Sequence, residues 1–282
     1  MRNLLSWARA LLLFWPAIFL VTILVEPMCL VLVRLDRSGR AQHAMVRWWA
    51  RLLLKLLAPV TVKGLERIDA SKPRLYAANH LSALDIPLLY AYLPFAFRIM
   101  AHRLVFRVPL IGWYLRRAGA LEIAPESVAL SRRALREAVK TLQRGMPVVI
   151  FPEGERSPTG KMLPFRRGAF YVAMKAQAEV VPVAILGTYE GLPIGSAHLR
   201  RAPLRLVIGD PIPLADYTPK DLGKLAERTQ RAVAAANNAM SAAAKRVRMV
   251  ITPQKLDRTR NLAAGEAADQ GGFLAEPRSR RK

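Results

Sequence analysis

Short apolar runs alternate with stretches of helical apolar spacing through most of this chain, and this alternation restricts the fold more than any other feature. The apolar runs predict strands at 60–65, 74–79, 146–151, 180–186 and 204–209. The other stretches predict helices at 82–93, 126–143, 168–177 and 219–248. Strands separated by helices of this length usually pair in parallel. The chain is therefore predicted to be an α/β protein with a mostly parallel sheet flanked by helices.

An apolar stretch near the N-terminus predicts a membrane-anchoring helical segment. Residues 10–25 contain no charged side chain, and after Glu26 the apolar run continues to Val33. A full span needs about 20 apolar residues, a length that is reached only if Glu26, Pro16 and Pro27 are included. The stretch therefore predicts either one kinked span or a hairpin that enters one leaflet. A buried core helix is the alternative.

The charge of the chain points to an anionic partner. Lys and Arg number 44 against 20 Asp and Glu, so the formal net charge is +24. Lipid headgroups, phosphorylated substrates and nucleic acid would all fit this charge. The basic residues are scattered and match no nucleic-acid motif, so no nucleic acid is expected. Basic residues at 34–55 follow the apolar stretch and predict that this flank is cytoplasmic, which in a bacterium means the inner membrane. The single cysteine, Cys29, cannot form an internal disulfide and points to a reducing compartment.

Residues 44–62 predict an amphipathic helix next to the anchor. Its basic face carries Arg47 and Arg51, and the Trp48-Trp49 pair suits a membrane surface. The favoured interpretation is an interfacial helix, and a domain helix with a solvated basic face is the alternative. The predicted domains are an anchor with its interfacial helix at 1–56, a catalytic domain at 57–250 and a disordered tail at 251–282.

His80 and Asp85 stand where a predicted strand gives way to a predicted helix. Asp85 can form a capping box with Ser82, and His80 can be an ordinary loop histidine. Alternatively, His80 is a general base and Asp85 holds its imidazole in one tautomer. Five residues of ideal helix would put the two side chains on different faces. The pair therefore requires His80 to lie at or before the first turn.

A second group of polar residues follows the predicted strand at 146–151. Glu153 and Gly154 come directly after it, and Arg156 is two residues further on. Gly154 allows a tight turn close to a ligand, and the planar guanidinium of Arg156 suits phosphate. Taken alone, this segment can equally be an ordinary charged loop with an internal Glu–Arg pair.

Four motifs in order make the chain resemble the glycerolipid acyltransferases typified by 1-acyl-glycerol-3-phosphate acyltransferase. The first, Asn-His-x4-Asp, is met by Asn79, His80 and Asp85. The other three correspond to HRLVFRVPLIGW at 102–113 (through Pro109, Gly112 and Trp113), FPEGERS at 151–157 and VPVAI at 181–185. The resemblance covers about residues 45–215.

The resemblance implies acyl transfer from a thioester to the free hydroxyl of a lysophospholipid. His80 and Asp85 would be the catalytic residues, with backbone amides near Ser82 as oxyanion donors. Arg156, with Arg103 and either Arg166 or Arg167, would hold the acceptor phosphate. The substrate-binding residues implied by the resemblance are Arg103, Glu153, Gly154, Arg156 and Arg167. No metal or resident cofactor is expected, because acyl-CoA or acyl carrier protein would supply the acyl group as a co-substrate.

The chain departs from the family pattern near the predicted anion site. Glu155 replaces the Thr of the third motif, and His102 stands where Lys is common. The preferred acceptor is 1-acyl-glycerol-3-phosphate, which would give phosphatidic acid. The alternatives are another lyso-lipid, such as lyso-ornithine lipid, or a non-catalytic basic scaffold on the membrane.

Overall fold

The structure is a computed structural model that describes residues 2–36, 40–69, 71–108 and 111–242. The chain divides into two compact units, Met1–Asn237 and Asn238–Lys282. The predicted tail at 251–282 and the end of the helix predicted at 219–248 lie outside the described residues, as does Pro109 of the second motif.

A seven-stranded sheet forms the centre of the first unit, in the order β1-β7-β6-β2-β5-β3-β4. The strands are β1 Val60–Lys63, β2 Leu75–Ala78, β3 Arg98–His102, β4 Leu121–Ile123, β5 Val148–Ile150, β6 Val180–Leu186 and β7 Leu204–Ile208. The pair β6–β7 is antiparallel, and the other neighbouring pairs are parallel. The prediction of a mostly parallel sheet is therefore confirmed. Strands β3 and β4 were not predicted.

Helices flank this sheet. The helices of the described residues are α1 Arg2–Arg9, α2 Trp15–Leu35, α3 Arg40–Leu57, α4 Asp85–Tyr92, α5 Ile111–Arg117, α6 Val128–Gln143, α7 Gly168–Ala176 and α8 Thr188–Gly191, and residues 222–242 are also helical. A π-helical turn at Ala10–Phe14 joins α1 to α2. Short 3-10 turns stand at Leu65–Arg67 and Val105–Arg107.

The middle of the sheet positions the predicted catalytic histidine and the polar segment that follows β5. All four residues of β2 are buried, and Leu75 to Ala77 lie opposite Val148 to Ile150 of β5. The two strands are parallel, so the loops that follow them leave the sheet at the same edge. This places His80, just beyond β2, next to the segment that begins at Phe151.

Helix α3 packs on the protein through its apolar face. Leu53, Leu54 and Leu57 of this face are buried in the core. Arg51 Nε donates to the carbonyl of Ala91 in the last turn of α4 at 2.9 Å, where a cation is favoured by the helix dipole. The apolar face of α3 is therefore covered by the protein's own core, as expected for a domain helix. A membrane contact through Trp48, which is 55% exposed, stays a prediction.

The N-terminal segment is helical from residue 2 to residue 35. The helix passes through Pro16 and Pro27 without a turn, so the apolar stretch is one continuous segment and not a hairpin. Ser6–Val25 is long and apolar enough to cross a membrane, with a mean hydropathy of 2.2 and 11% of its window buried. This helix is a candidate membrane anchor.

The same helix also contacts the domain. Trp15 Nε1 donates to the carbonyl of Ala197 at 2.7 Å. About two turns earlier, Trp7 stacks on His198 at 4.2 Å and Ser6 Oγ lies 2.8 Å from His198 Nε2. One side of the candidate anchor is therefore held by the loop that follows α8.

His43 gives the fold a predicted sensitivity to acid. It lies on α3 against the rings of Tyr90 and Phe97, and burial, with the charge of Arg47, lowers its pKa to about 4. The unfolded chain protonates this histidine below its ordinary pKa of 6.5, whereas the folded protein does not until about pH 4. The stability that the neutral His43 contributes is therefore present above pH 6.5 and is lost as the pH falls towards 4.

We expect the free energy of unfolding to drop by about 2 kcal/mol between pH 7 and pH 5 because of this group. In the His43→Phe variant most of that drop should disappear. Denaturant unfolding of both proteins at the two pH values measures it. An equal drop in both proteins would show that His43 does not cause the acid sensitivity.

Candidate active site

Two loops at the same edge of the sheet are joined by hydrogen bonds to the backbone of His80. The amide of His80 donates to Glu153 Oε1 at 2.7 Å. The carbonyl of His80 accepts from the amide of Ser157 at 2.9 Å. The loop after β5 therefore holds both backbone groups of the predicted base.

His80 and Asp85 form the pair that the sequence predicted as one of two alternatives. Their Nδ1 and Oδ2 atoms are 2.8 Å apart, and the Asp85 side chain is fully buried. The His80 side chain keeps 15% of its surface exposed. A neutral imidazole that donates from Nδ1 leaves Nε2 as the proton acceptor. Within the described residues Nε2 has no hydrogen-bond partner, so it is available to a substrate hydroxyl.

The capping interpretation also has structural support. Asp85 Oδ2 accepts from the amide of Ser82 at 2.9 Å, which is the reverse half of a capping box. Ser82 Oγ accepts from the amide of Leu84 at 3.2 Å and donates to the carbonyl of Leu192 at 2.7 Å. Helix α4 begins at Asp85 itself, so His80 precedes the first turn. One carboxylate therefore organises the start of the helix and orients the imidazole.

The amides of Leu81 and Ser82 are already hydrogen-bonded within the protein. The amide of Leu81 donates to Asp85 Oδ2 at 2.7 Å, and that of Ser82 donates to the same atom. Asp85 therefore already uses these two amides, and the expectation that amides near the start of α4 stabilise the oxyanion stays a prediction. Among the described residues, the amides of Glu155 and Arg156 have no protein acceptor, and they lie in the loop that holds His80.

The imidazole plane is fixed by an aromatic ring. Phe151 stacks on His80 with ring centroids 3.9 Å apart and an interplanar angle of 12°. Phe151 follows β5 directly and is 9% exposed. In the sequence, Phe151 stands out only as the first residue of the third motif. No local pattern indicates which ring a phenylalanine will stack on, because that contact joins two separate strands.

Glu153 joins three segments from a buried position. Its side chain is 1% exposed, and its second oxygen accepts from the amide of Leu163 at 2.7 Å while the first binds His80. Burial and the nearby charge of Asp85 outweigh these two hydrogen bonds and raise the pKa of Glu153 to about 7. Its observed contacts are with protein backbone, and its binding of substrate stays a prediction.

Asn79 is a residue of the site whose role was not predicted. It is fully buried and makes two hydrogen bonds to Ile185 of β6. Its Nδ2 donates to the carbonyl at 2.9 Å, and its Oδ1 accepts from the amide at 2.7 Å. The polar atoms of an asparagine at the end of a buried strand must find hydrogen-bond partners. This requirement was the one signal in the sequence for a structural role of Asn79.

The predicted phosphate-binding residues differ in what they contact. Gly154 has the positive φ expected for a tight turn, +82°. Arg156 and Arg167 are exposed, and neither side chain has an ion-pair partner among the described residues. Arg103 lies at the end of β3, and its Nε is 2.6 Å from Glu126 Oε1. The structure therefore leaves Arg156 and Arg167 available to an anion and gives Arg103 a protein partner.

The chain is similar to known acyltransferases. Residues 59–186 match the family described as Acyltransferase. A 1-acyl-sn-glycerol-3-phosphate acyltransferase of Chlamydomonas reinhardtii is 33% identical over 235 residues, which cover 83% of this chain and 68% of that protein. A chloroplastic enzyme of that name from Arabidopsis thaliana is 30% identical over 70% of this chain, which spans 55% of that relative.

A solved structure has the same fold. The crystal structure of the 1-acyl-sn-glycerophosphate acyltransferase PlsC from Thermotoga maritima superposes with a TM-score of 0.75 at 26% sequence identity. The similarity covers 86% of this chain and 98% of that one. The matching sheet, the Asn-His-x4-Asp motif and the sequence relatives agree. The chain is an acyltransferase and belongs to the family of the 1-acyl-sn-glycerol-3-phosphate acyltransferases.

Proposed function

We propose that this enzyme transfers a fatty acyl group from a thioester to the free hydroxyl of 1-acyl-glycerol-3-phosphate, giving phosphatidic acid. The observation that carries the proposal is the hydrogen bond of 2.8 Å between His80 Nδ1 and Asp85 Oδ2, which leaves Nε2 available. Arg156, exposed in the adjoining loop, supplies a cation for the phosphate. The names of the relatives support the same acceptor.

The proposed reaction is direct transfer without an acyl-enzyme. His80 Nε2 takes the proton of the acceptor hydroxyl as its oxygen attacks the thioester carbonyl. The amides of Glu155 and Arg156 are the donors that we assign to the resulting oxyanion. When the intermediate collapses, the carbon–sulfur bond breaks and the imidazolium returns its proton to the leaving thiolate. Asp85 stabilises the imidazolium while it exists.

The acyl donor is proposed to be acyl-CoA or an acylated carrier protein, and both share the thioester. The proposed location is the cytoplasmic face of a membrane, held there by the apolar N-terminal helix. Incubation of the purified protein with a panel of lyso-lipids and with both donors tests the acceptor and the donor together. Mass spectrometry of the products should show phosphatidic acid as the main product. A preference for lyso-ornithine lipid or another lyso-lipid would overturn the proposed acceptor.

We expect His80→Ala to lower kcat by about 100- to 10,000-fold, because this change removes the general base. Asp85→Asn should lower kcat less, since an amide still orients the ring without stabilising the imidazolium. Single-turnover assays with a labelled acyl donor measure both effects. Circular dichroism serves as the control for folding. Near-normal turnover by a folded His80→Ala protein would exclude His80 as the base.

Glu153→Gln tests the buried carboxylate. An amide group has one accepting oxygen, so one of the backbone donors from His80 and Leu163 would face an NH₂ group. We expect the free energy of unfolding to fall by about 1–3 kcal/mol, and kcat to fall with it, because the unpaired donor is buried. The matched control is Glu155→Gln, at an exposed glutamate two residues away, which should change neither quantity much.

Arg156→Ala tests the phosphate site. Loss of a charged hydrogen bond worth about 1.5–3 kcal/mol should raise the KM for the phosphate-bearing acceptor by about 10- to 150-fold, with a smaller effect on the KM for the donor. Lys161→Ala removes another exposed cation of the same loop and is the matched control. An acceptor KM that is unchanged in the Arg156 variant would mean that the phosphate binds elsewhere.

A further inference from the structure

Four aliphatic side chains are exposed in the segment between β3 and α5. Leu104 is 55% exposed, Val105 37%, Val108 43% and Ile111 50%. We call these four residues the aliphatic patch. Single exposed aliphatic residues are common on proteins. A cluster within one short segment indicates a surface that is covered by a membrane or by another molecule. The catalytic steps described above do not involve them.

The segment that carries the patch is firmly held. Phe106, in its middle, is 3% exposed, and its carbonyl accepts from Arg116 at 2.9 Å. The amide of Gly112 donates to the carbonyl of Val108 at 2.8 Å. A Cβ on Gly112 would lie 1.9 Å from the carbonyl oxygen of Phe106, so no side chain fits there. The packing of α5 on the 3-10 turn therefore fixes the direction in which the aliphatic side chains point.

The charged residues of the segment that carries the patch are all basic. Residues 98–120 contain five arginines and no acidic residue. Arg107, Arg116 and Arg117 of this group are exposed. Aliphatic side chains surrounded by cations fit an anionic lipid surface, because the apolar groups can enter the acyl boundary while the guanidinium groups stay at the phosphates.

The patch lies at the same edge of the sheet as the active site. Strand β3 is parallel to β5, so its C-terminal end and that of β5 leave the sheet on the same side. His80 and Phe151 stand at that edge, and the patch begins two residues after β3 ends. A surface in contact with the aliphatic patch would therefore also face the edge from which the imidazole is exposed.

The beginning of α6 extends this surface. Val128 is 68% exposed and Leu130 is 40% exposed. The ion pair between Arg103 and Glu126 connects the segment after β3 to the residues just before α6. The apolar exposure on this edge is therefore not limited to one loop.

We propose that the aliphatic patch inserts into the headgroup region of an anionic bilayer and gives the catalytic domain a membrane contact of its own. This contact is additional to the N-terminal helix and does not depend on the identity of the acyl acceptor. It would turn the His80 edge of the sheet towards the lipid. A lipid that diffuses in the bilayer could then reach the imidazole without leaving the membrane.

A fluorophore placed on the full-length protein tests the contact. Cys29 is the single cysteine, so Cys29→Ser removes competing labelling, and Leu104→Cys or Val108→Cys then carries an environment-sensitive dye. Lys175→Cys is the matched control: this residue is exposed in the last turn of α7, just before β6 begins at the opposite edge of the sheet. The membranes are vesicles of phosphatidylcholine and phosphatidylglycerol, with and without brominated acyl chains.

On vesicle binding, the dyes at 104 and 108 should shift their emission to shorter wavelength and lose intensity with brominated lipid. The dye at 175 should do neither. If the protein sediments with vesicles while the dyes at 104 and 108 behave like the dye at 175, the proposal is wrong. It is also wrong if the protein does not bind the vesicles, or if the two dyes already emit at short wavelength without lipid, which would indicate a protein partner. No catalytic turnover is needed, so failure of the proposed reaction would not affect the result.

Discussion

The carboxylate of Asp85 is the group on which the geometry of the site depends. Its Oδ2 accepts from the imidazole of His80 and from the amides of Leu81 and Ser82, all within 2.9 Å. Three donors on one fully buried oxygen offset the cost of burying its charge and fix the chain at the start of α4. The histidine is therefore positioned by the same interaction that begins the helix. Replacing the carboxylate would disturb both the base and the turn that carries it.

A second set of contacts connects this turn to neighbouring strands. Asn79 binds the backbone of Ile185 in β6, while Glu153 and Phe151, beyond β5, hold the amide and the ring of His80. The catalytic turn therefore depends on two neighbours of β2, one on each side. These contacts explain how a loop residue can keep a fixed orientation. A rigid base requires no reorganisation when the acceptor hydroxyl arrives.

Some elements could not be predicted from local sequence. Strands β3 and β4 are short and contain charged residues, so the periodic pattern that revealed the other strands was absent. Helix α3 has the amphipathic spacing of an interfacial helix, yet its apolar face is buried by α4 and the core. Apolar periodicity indicates that one face is buried and does not say whether protein or lipid covers it. Local sequence likewise did not show that Asp85 would accept from the amides of Leu81 and Ser82.

The sequence by itself determined the α/β class, most of the helices and strands, the apolar N-terminal helix and the position of His80 and Asp85 between a strand and a helix. These features depend on spacing over a few residues, where backbone geometry limits the alternatives. Only the tertiary structure decided which of two roles Asp85 has, and it assigned both. Only the tertiary structure brought Phe151 and Glu153 to His80, gave Arg103 a protein partner and left Arg156 without an ion-pair partner in the part of the chain that is described. Contacts between residues far apart in the chain depend on strand order, and strand order is set by packing of the whole sheet.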